Sequence, residues 1–363
     1  AISPNAIMAM NSGAKKGGFY HTTGEGGYSP YHKKYGGDVV WQIGTGYFGC
    51  RNNDGTFNAE LFAEQAVNDQ VKMIEIKVSQ GAKPGHGGVL PAAKVTEEIA
   101  KTRKVPMGQD CISPPGHSAF DTPISMCEFI GQLRKLAEGK PIGFKLCVGR
   151  PAEFLAICKA MIETNILPDF ITVDGSEGGT GAAPMEFSDR LGTPLIEGLI
   201  FVQNALVGCG LRDRIRIACS GKVTSAFDVV RNIGLGADWC NAARGFMMAV
   251  GCIQAQSCHT NACPVGVATQ DHVLQRALHV GNKSERVFHF HRNTMETLLE
   301  IIAAAGIDSP TELGPYHFSK RISPTEIVTY DEAYPFLEDK ELLGDCKHPC
   351  FRRHWQAATA SSF

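Results

Sequence analysis

Short apolar runs alternate with amphipathic helical patterns from about residue 70 onward, and this alternation constrains the fold more than any other feature. Each run carries consecutive apolar residues, as strands buried on both faces of a parallel sheet do. The alternation therefore predicts βαβ units built on a parallel sheet. The predicted strands are Val39–Ile43, Met73–Val78, a weaker Val105–Asp110, Gly143–Val148, Phe170–Val173, Arg214–Ser220 and Asp238–Ala242.

The segments between these strands carry helix signals. Thr122 and Pro123 form an N-cap and first-turn pair, and Pro151 opens the next helix. Apolar residues follow at helical spacing after both prolines. Two further helices are predicted over Leu195–Val207 and Thr224–Ile233.

Clusters of glycine and functional residues follow one predicted strand after another. An open doubly wound sheet concentrates its ligand contacts at one switch point. A closed (β/α)8 barrel instead gathers them from many strand ends onto one face. The spread of the clusters therefore favours the barrel. The clusters are Gln80–Gly85, Asp174–Gly181, Ser220–Lys222 and Ala243–Gly245.

The two ends of the chain lie outside this alternation. The first 35 or so residues, rich in Gly, Lys and Tyr, are predicted to form a covering loop. The pattern stops after about Asp308, so we expect a barrel domain over residues 1–308 and a tail over 309–363 that packs on it. The chain begins at Ala1 within structured-looking sequence, and we expect it to be part of a longer polypeptide.

Composition narrows the function classes. The chain has 363 residues, 43% hydrophobic and 20% charged, which is typical of a globular protein with a large core. A net charge of −2 offers no electrostatic case for binding nucleic acid or an anionic membrane. The longest apolar stretch, Phe246–Ile253, is too short to span a bilayer. The sequence leaves open whether a membrane anchor lies upstream of Ala1.

Three of the thirteen cysteines, Cys252, Cys258 and Cys263, lie in one short run spaced C-x5-C-x4-C. Thiolates are the protein ligands of iron–sulfur clusters, whereas four cysteines in CxxC pairs would suggest zinc. Three at unequal spacing suit a cluster with one corner unligated by protein. Spacing alone leaves the alternative of three structural cysteines open.

The total of thirteen cysteines is odd and their spacing is scattered, which argues against a disulfide framework and favours a reducing, cytoplasmic compartment. The late pair Cys346 and Cys350 could bind a metal or be redox-active, but two unrelated thiols in a tail is the favoured interpretation.

Two sets of loops are candidates for binding an anionic ligand. The glycine run Gly175–Gly181 suits close backbone approach to a flat or anionic ligand; the alternative is a mobile surface loop. Ser220-Gly221-Lys222 and Ala243-Arg244-Gly245 end the last two strands, where barrels commonly bind phosphate. The alternative is a capping turn with an exposed cation.

Single residues add to this pattern. Lys145 lies inside an apolar strand, so it either meets an anionic partner in the barrel or reaches solvent from the strand end. His86 and His117 lie in loops after strands and could donate to a carboxylate, transfer a proton or simply bond their loops. Gly44–Gly49 matches G-x-G-x-x-G, but a turn follows instead of a helix, so a glycine-rich turn is favoured over a nicotinamide site.

These motifs together resemble one known family. The chain is similar over nearly its whole length to the FMN-binding synthase domain of glutamate synthase, and to its short stand-alone members. The cysteine segment is the most specific match. The matching segments are Ala1–Pro4, Thr23–Gly27, Gly81–Gly85 with Leu90-Pro91 and Lys94-Val95, Ile112–Pro115, Asp174–Ala183 and Gly251–Gln270.

The resemblance implies a (β/α)8 barrel with FMN at its C-terminal face and a [3Fe–4S] cluster held by Cys252, Cys258 and Cys263. It implies reductive amination of 2-oxoglutarate to glutamate through 2-iminoglutarate. Lys83, His86 and Lys145 become the candidate catalytic residues. The candidate cofactor residues are Lys145, Gly175, Gly178, Gly179, Ser220, Gly221, Lys222, Ala243 and Arg244.

The chain also departs from the family. His86 stands where glutamate synthases usually carry Glu, in the loop near the substrate. The resemblance covers the synthase domain and no glutaminase domain, so we expect ammonia or an amidotransferase partner to supply nitrogen. We expect electrons from a ferredoxin or an NAD(P)H-oxidising subunit, and an oligomer or complex. The alternatives are a related amine or oxo-acid oxidoreductase, such as an N-methylglutamate-type synthase subunit, and an electron-transfer subunit.

Overall fold

A computed structural model describes residues 1–179 and 183–363. Its helices are α1 (Pro4–Gly17), α2 (Pro30–Lys33), α3 (Ala59–Ala66), α4 (Glu97–Arg103), α5 (Pro123–Leu136), α6 (Pro151–Thr164), α7 (Leu195–Gly208), α8 (Ala226–Gly234), α9 (Ala243–Ala249), α10 (His272–Gln275), α11 (Val280–Ala304), α12 (Tyr330–Ala333) and α13 (Pro349–Ala357). Its strands are β1 (His21–Thr22), β2 (Val39–Ile43), β3 (Val71–Lys77), β4 (Val89–Leu90), β5 (Cys111–Ile112), β6 (Ile142–Leu146), β7 (Phe170–Asp174), β8 (Arg216–Ser220), β9 (Trp239–Asn241), β10 (Ser319–Ser323) and β11 (Glu326–Thr329).

The main sheet is parallel throughout, in the order β1-β2-β3-β6-β7-β8-β9. Its two edges meet through side chains, because Trp239 of β9 donates its indole N–H to the Tyr20 hydroxyl at 2.7 Å. Tyr20 directly precedes β1, and its hydroxyl donates in turn to Asn241. The sheet therefore curls back on itself, which confirms the predicted α/β barrel class, although the described residues supply seven strands to it rather than eight.

The predicted strands of this sheet end within two residues of the observed ones. The prediction of a strand over Val105–Asp110 is wrong. Pro106 lacks a backbone donor, and Gly108 adopts φ +67° so that its N–H reaches the carbonyl of Val95 at 3.1 Å. This segment is therefore a turn, and the next residues form β5, which pairs antiparallel with β4 outside the main sheet.

Local signals set the helix starts. The Thr122 side chain accepts from the backbone N–H of Ser125 at 3.1 Å, and Pro123 occupies the first turn of α5. Ser225 and Asp228 form a reciprocal capping box at α8. The Gly44–Gly49 segment forms turns, with Tyr47 N–H bonded to the Gly44 carbonyl at 3.0 Å.

The apolar core lies between the sheet and its helices, and a second cluster lies under α1, α9 and α11. The N-terminal segment predicted as a covering loop thus includes a 14-residue helix, α1, which packs on α11. The two helices approach closely at Gly13, where a Cβ would lie 2.5 Å from Val287 Cγ1. The second cluster includes the predicted ligand Cys263.

The C-terminal residues 309–363 pack on the barrel helices. Phe351 of α13 stacks on Phe201 of α7 with ring centroids 5.5 Å apart. Lys159 of α6 donates to the carbonyl of Ala358 at 2.8 Å. Nowhere in residues 1–179 or 183–363 is a helix both long and apolar enough to cross a membrane.

Candidate functional site

Asp174, the last residue of β7, joins three loops at the carboxyl end of the sheet. Its Oδ1 accepts from the Ser220 hydroxyl at 2.6 Å, and its Oδ2 accepts from the backbone N–H of Gly81 at 2.8 Å. Gly81 lies so close to the next loop that a Cβ there would sit 1.7 Å from the Gly175 carbonyl oxygen. The carboxyl ends of β3, β7 and β8 therefore converge on one face, where barrels build their ligand sites.

The glycine run after β7 brings two predicted regions together. The N–H of Gly178 donates to the Gly175 carbonyl at 2.8 Å and closes a turn. A Cβ on Gly179 would lie 1.9 Å from Nη2 of Arg244, so the guanidinium packs directly on this backbone. Residues 180–181 of the predicted run lie outside the described residues.

The residues that follow β8 and β9 were predicted together as cofactor residues, but they have different neighbours in the structure. Gly221 adopts φ +140°, and a Cβ there would lie 3.3 Å from the backbone nitrogen of Gly175. Lys222 pairs with Asp189 at 3.0 Å, and both side chains are exposed. Ala243 is the first residue of α9 and is exposed. Of these predicted cofactor residues, Gly221 thus packs on the β7 loop, whereas Lys222 extends toward the 183–191 segment.

Two lysines lie on neighbouring strands at the barrel mouth, and they differ in their carboxylate partners. Lys77 of β3 is opposite Lys145 of β6 in the strand register. The Nζ atom of Lys77 lies 2.9 Å from Glu25 Oε2, and both side chains are largely buried. Among the described residues, no carboxylate oxygen lies within 4.0 Å of Lys145 Nζ. Lys145 is therefore the lysine of this pair without a carboxylate partner among the described residues.

The electrostatics of this pair follow from burial and proximity. Burial raises the pKa of Glu25, but the charge and hydrogen bond of Lys77, with help from Arg103 and Lys145, outweigh it and hold the pKa below its usual value. Burial also lowers the pKa of Lys77; Glu25 opposes that shift, and Lys145 adds to it.

Lys83 and His86 bond to the same carbonyl, that of Gly87. Lys83 is 2% exposed and donates to this oxygen at 2.9 Å; burial lowers its pKa. His86 is exposed, and its Nδ1 lies 2.9 Å from the same oxygen. Glu25 and Lys77 line a small cavity with His86. The structure thus brings the two predicted substrate residues beside the buried ion pair.

His117 has a structural environment. Its Nε2 lies 2.9 Å from the Lys77 carbonyl and its Nδ1 lies 2.9 Å from the Tyr47 hydroxyl. Burial lowers its pKa to about 4, so the ring is neutral near pH 7. A neutral ring that donates from Nε2 and accepts at Nδ1 satisfies both contacts, which matches the loop-bonding alternative.

The three predicted cluster ligands follow α9 on a tightly wound loop. Cys263 is buried, and Cys252 and Cys258 are half-buried. Burial raises the pKa of the Cys258 thiol, and the charges of Cys252 and Cys263 raise it further, so the three sulfurs interact. In the part of the chain that the structure describes, no three His, Cys, Asp or Glu side chains are close enough to hold a metal ion.

The backbone of this loop is strained. Gln254, Gln256 and Asn261 adopt φ of +58°, +55° and +67°, the left-handed region that non-glycine residues rarely occupy. Such residues concentrate at ligand-holding loops, where the surroundings fix them. Three thiols are the donor type that iron–sulfur clusters use, but the sulfurs are not drawn together among the described residues.

Lys94 is the buried cation of this region. It is 1% exposed, and its Nζ donates to the carbonyls of Ala1 at 2.6 Å, Cys258 at 2.9 Å and Ala268 at 3.1 Å. Burial lowers its pKa to about 8, against the opposing effect of Cys258 and Cys263. The ammonium is therefore mostly charged at neutral pH.

Three residues of these sites, Glu25, Lys77 and Lys94, were given no role from the sequence, and Asp174 was named only as the first residue of the cluster Asp174–Gly181. Lys77 carries the same signal that identified Lys145, a charged residue inside an apolar strand. Asp174 ends a strand that precedes a glycine run. Lys94 carries no such signal, because a lysine between Ala93 and Val95 looks like a surface residue.

Comparisons with known proteins identify the family. A family profile described as the conserved region in glutamate synthase matches residues 1–308. The glutamate synthase large subunit-like protein YerD of Bacillus subtilis (strain 168) is 42% identical over 332 residues, which cover 91% of this chain and 63% of that protein. The archaeal glutamate synthase (NADPH) of Methanocaldococcus jannaschii is 34% identical over 310 residues, covering 85% of this chain and 58% of that protein.

A solved structure of a flavocytochrome b2 variant with sulfite bound shares the fold. It has a TM-score of 0.50 and 17% sequence identity, and the match covers 85% of this chain and 63% of that one. The chain spans 63% and 58% of the two curated relatives, so it corresponds to one part of those longer proteins.

Proposed function

The chain belongs to the glutamate synthase family, and from that premise we propose that it is an FMN- and iron–sulfur-dependent oxidoreductase. It forms glutamate by reductive amination of 2-oxoglutarate through 2-iminoglutarate. The supporting observation is at the mouth, where Lys77 is paired with Glu25 and Lys145, opposite Lys77 in the register, has no carboxylate oxygen within 4.0 Å among the described residues. A cation in this position favours anionic ligands.

The residues at the mouth fit FMN. Lys145 has a charge that no neighbouring carboxylate of the described residues balances, and the Gly179 backbone leaves no room for a Cβ. FMN, when bound, supplies hydride transfer, while the protein supplies position and charge. Residues proposed to hold it are Lys145, Gly175, Gly178, Gly179, Ser220, Gly221, Lys222, Ala243 and Arg244.

The substrate end of the site is the cavity that His86 and Lys77 line. 2-Oxoglutarate carries two carboxylates, and the ammonium groups of Lys77 and Lys83 bind and orient them. His86 is exposed and can donate to a carboxylate or move a proton at its free Nε2. Its Nδ1 is already engaged by the Gly87 carbonyl.

Cys252, Cys258 and Cys263 would hold a [3Fe–4S] cluster, which exchanges single electrons. The partners we propose are a ferredoxin or an NAD(P)H-oxidising subunit as electron donor, and ammonia or an amidotransferase subunit as nitrogen source. The relatives that this chain matches in part include one named for NADPH, which supports a nicotinamide-linked donor.

The test begins with anaerobically purified protein. We expect flavin absorption bands over broad iron–sulfur absorbance, and about one FMN per chain. After chemical reduction, 2-oxoglutarate with ammonia should reoxidise the flavin and yield glutamate. Reoxidation only with methylamine would support the N-methylglutamate-type alternative instead. Protein without flavin or iron, or flavin indifferent to every amine and oxo-acid pair, would overturn the proposal.

A matched pair of variants tests the mouth itself. Lys145→Met removes the ammonium charge and should weaken FMN binding by about tenfold or more, since a charge-assisted contact is worth roughly 1.5–3 kcal/mol. Lys135→Met, on the exposed side of α5, makes the same change away from the mouth. Equal FMN affinities in the two variants would exclude Lys145 from the cofactor site.

A further inference from the structure

Lys94 connects three separate pieces of chain at the cysteine loop. It ends a 3-10 turn, Ala92–Lys94, between β4 and α4. Its three hydrogen bonds reach the N-terminal residue Ala1, the loop residue Cys258, and Ala268 beyond the loop. One ammonium thus uses three hydrogen bonds to fix the backbone of the middle cysteine, the backbone after the last cysteine, and Ala1.

The charge of this ammonium lacks a carboxylate partner. In the part of the chain that the structure describes, no Asp or Glu oxygen lies within 4.0 Å of Lys94 Nζ, although the group is almost fully buried. A buried cation bonded only to neutral carbonyls is costly, because dipoles replace water incompletely. The thiols of Cys258 and Cys263 raise the pKa of Lys94 and so oppose the effect of its burial.

We propose that Lys94 is the positioning residue of the three-cysteine loop: it anchors the loop backbone and balances the negative charge of the thiolates when they hold the cluster. This inference rests on the proposed iron–sulfur function. A cluster bound by three thiolates is anionic, and a fixed positive charge beside it favours the reduced state and raises its potential.

The position of Lys94 in the chain adds a second consequence. It lies in the same 79–117 segment as His86, which lines the substrate cavity, and Lys83, which donates to the carbonyl of the cavity residue Gly87. The three hydrogen bonds therefore fix that segment to the cysteine loop.

The experiment compares Lys94→Met with Lys94→Arg and with Lys101→Met, which alters an exposed lysine of α4. In anaerobic holoprotein we expect Lys94→Met to lower the midpoint potential of the cluster, alter its EPR spectrum and lose iron to a chelator about tenfold faster, as outer-shell changes at metal sites do. Lys94→Arg keeps the charge and should restore the potential. A Lys94→Met protein that matches Lys101→Met in all three measurements would overturn the inference.

A measurement without the cluster separates this inference from the proposed function. In iron-free protein, amide hydrogen exchange over residues 254–268 should be about tenfold faster in Lys94→Met than in Lys101→Met, because three bonds to a charged donor are lost. Wild-type protein that never holds iron would refute the iron–sulfur proposal, and unchanged exchange would refute the anchoring.

If Lys94→Met does not fold, Lys94→Gln provides the test. It removes the charge but keeps an N–H donor, so the potential should still fall while the iron-loss rate changes less. An unchanged potential in Lys94→Gln would overturn the charge-balancing role.

Discussion

The barrel mouth and the cysteine loop are both lined by buried charge, but they balance it differently. At the mouth, Lys77 pairs with Glu25 at 2.9 Å, and Asp174 accepts from two donors. At the cysteine loop, Lys94 meets only backbone carbonyls. The cysteine loop also carries three non-glycine residues in the left-handed region, Gln254, Gln256 and Asn261.

The two regions therefore differ in the contacts that hold them in place. Carboxylates, hydroxyls and close glycine contacts hold the mouth within the protein alone. The cysteine loop has a cation without a carboxylate partner among the described residues, and burial and the neighbouring cysteines raise the pKa of the Cys258 thiol, so ionising it there is unfavourable. An added group that brings the thiolates and the cation into one site would relieve both. The predictions below test this contrast, beginning with the largest expected effect.

Lys77→Met should lower the free energy of unfolding by about 3–5 kcal/mol, because it leaves Glu25 buried without its partner. Lys72→Met makes the same change at the exposed start of the same strand, where Lys72 lies 3.8 Å from Asp38. We expect that control to change stability by less than about 1 kcal/mol. Urea unfolding measures both, and similar losses in the two variants would remove the claim that the mouth depends on its ion pair.

Gly81→Ala should lower the free energy of unfolding by roughly 3 kcal/mol, at the upper end of overpacking effects. The added Cβ would meet the Gly175 carbonyl, a backbone atom that cannot rotate away. Gly116→Ala is the matched control, because nothing lies within 4 Å of its added Cβ. A tolerated Gly81→Ala with normal FMN content would mean that the loops after β3 and β7 can separate freely.

Acid should destabilise the protein partly through His117, which the fold keeps neutral. Its pKa is about 4 in the folded state and near 6.5 in an unfolded chain, so the unfolded state binds more protons between these values. The resulting stability is complete above about pH 6.5 and is lost as pH falls toward 4. His117→Gln should reduce this loss by roughly 2 kcal/mol, allowing for partial exposure.

His259→Gln serves as the control for that pH series, since His259 is exposed on the cysteine loop. Unfolding curves at pH 7 and pH 4.5 give the difference for each variant. An equal acid effect in both variants would locate the pH sensitivity elsewhere.

Gln256→Gly should stabilise the iron-free protein by about 0.5–1 kcal/mol, because glycine adopts φ +55° without the penalty of a side chain. Gln256→Ala keeps that penalty and should leave stability nearly unchanged. The difference between the free energies of unfolding of the two variants measures the backbone strain at this position. If glycine destabilises the loop relative to alanine, the loop is not strained at this position.

The sequence was most informative where the physical signal is local. Pro123 and Pro151 begin helices at the predicted residues because proline fixes φ in a first turn and needs no donor there. Val39–Ile43 matches the observed strand because consecutive apolar residues bury both faces. Val105–Asp110 did not become a strand, because its proline and left-handed glycine outweigh its apolar residues.

The residues of the candidate sites also fall into those that a local sequence signal identified and those that it did not. Lys145 and the three cysteines were identified from residue type and spacing, and the assignment of the cysteines to a cluster stays a prediction. Glu25 and Lys94 were not identified, since neither has an unusual neighbour in sequence. Glu25 is 52 residues away from Lys77. Lys94 lies 164 residues from Cys258.

By itself, then, the sequence determined the strand and helix alternation, the barrel class and the family, because these depend on periodicity and on motifs a few residues long. Only the tertiary structure decided which charges meet. Parallel strands bring their carboxyl ends together regardless of their distance along the chain, and a buried lysine reaches whichever carbonyls the packing leaves beside it.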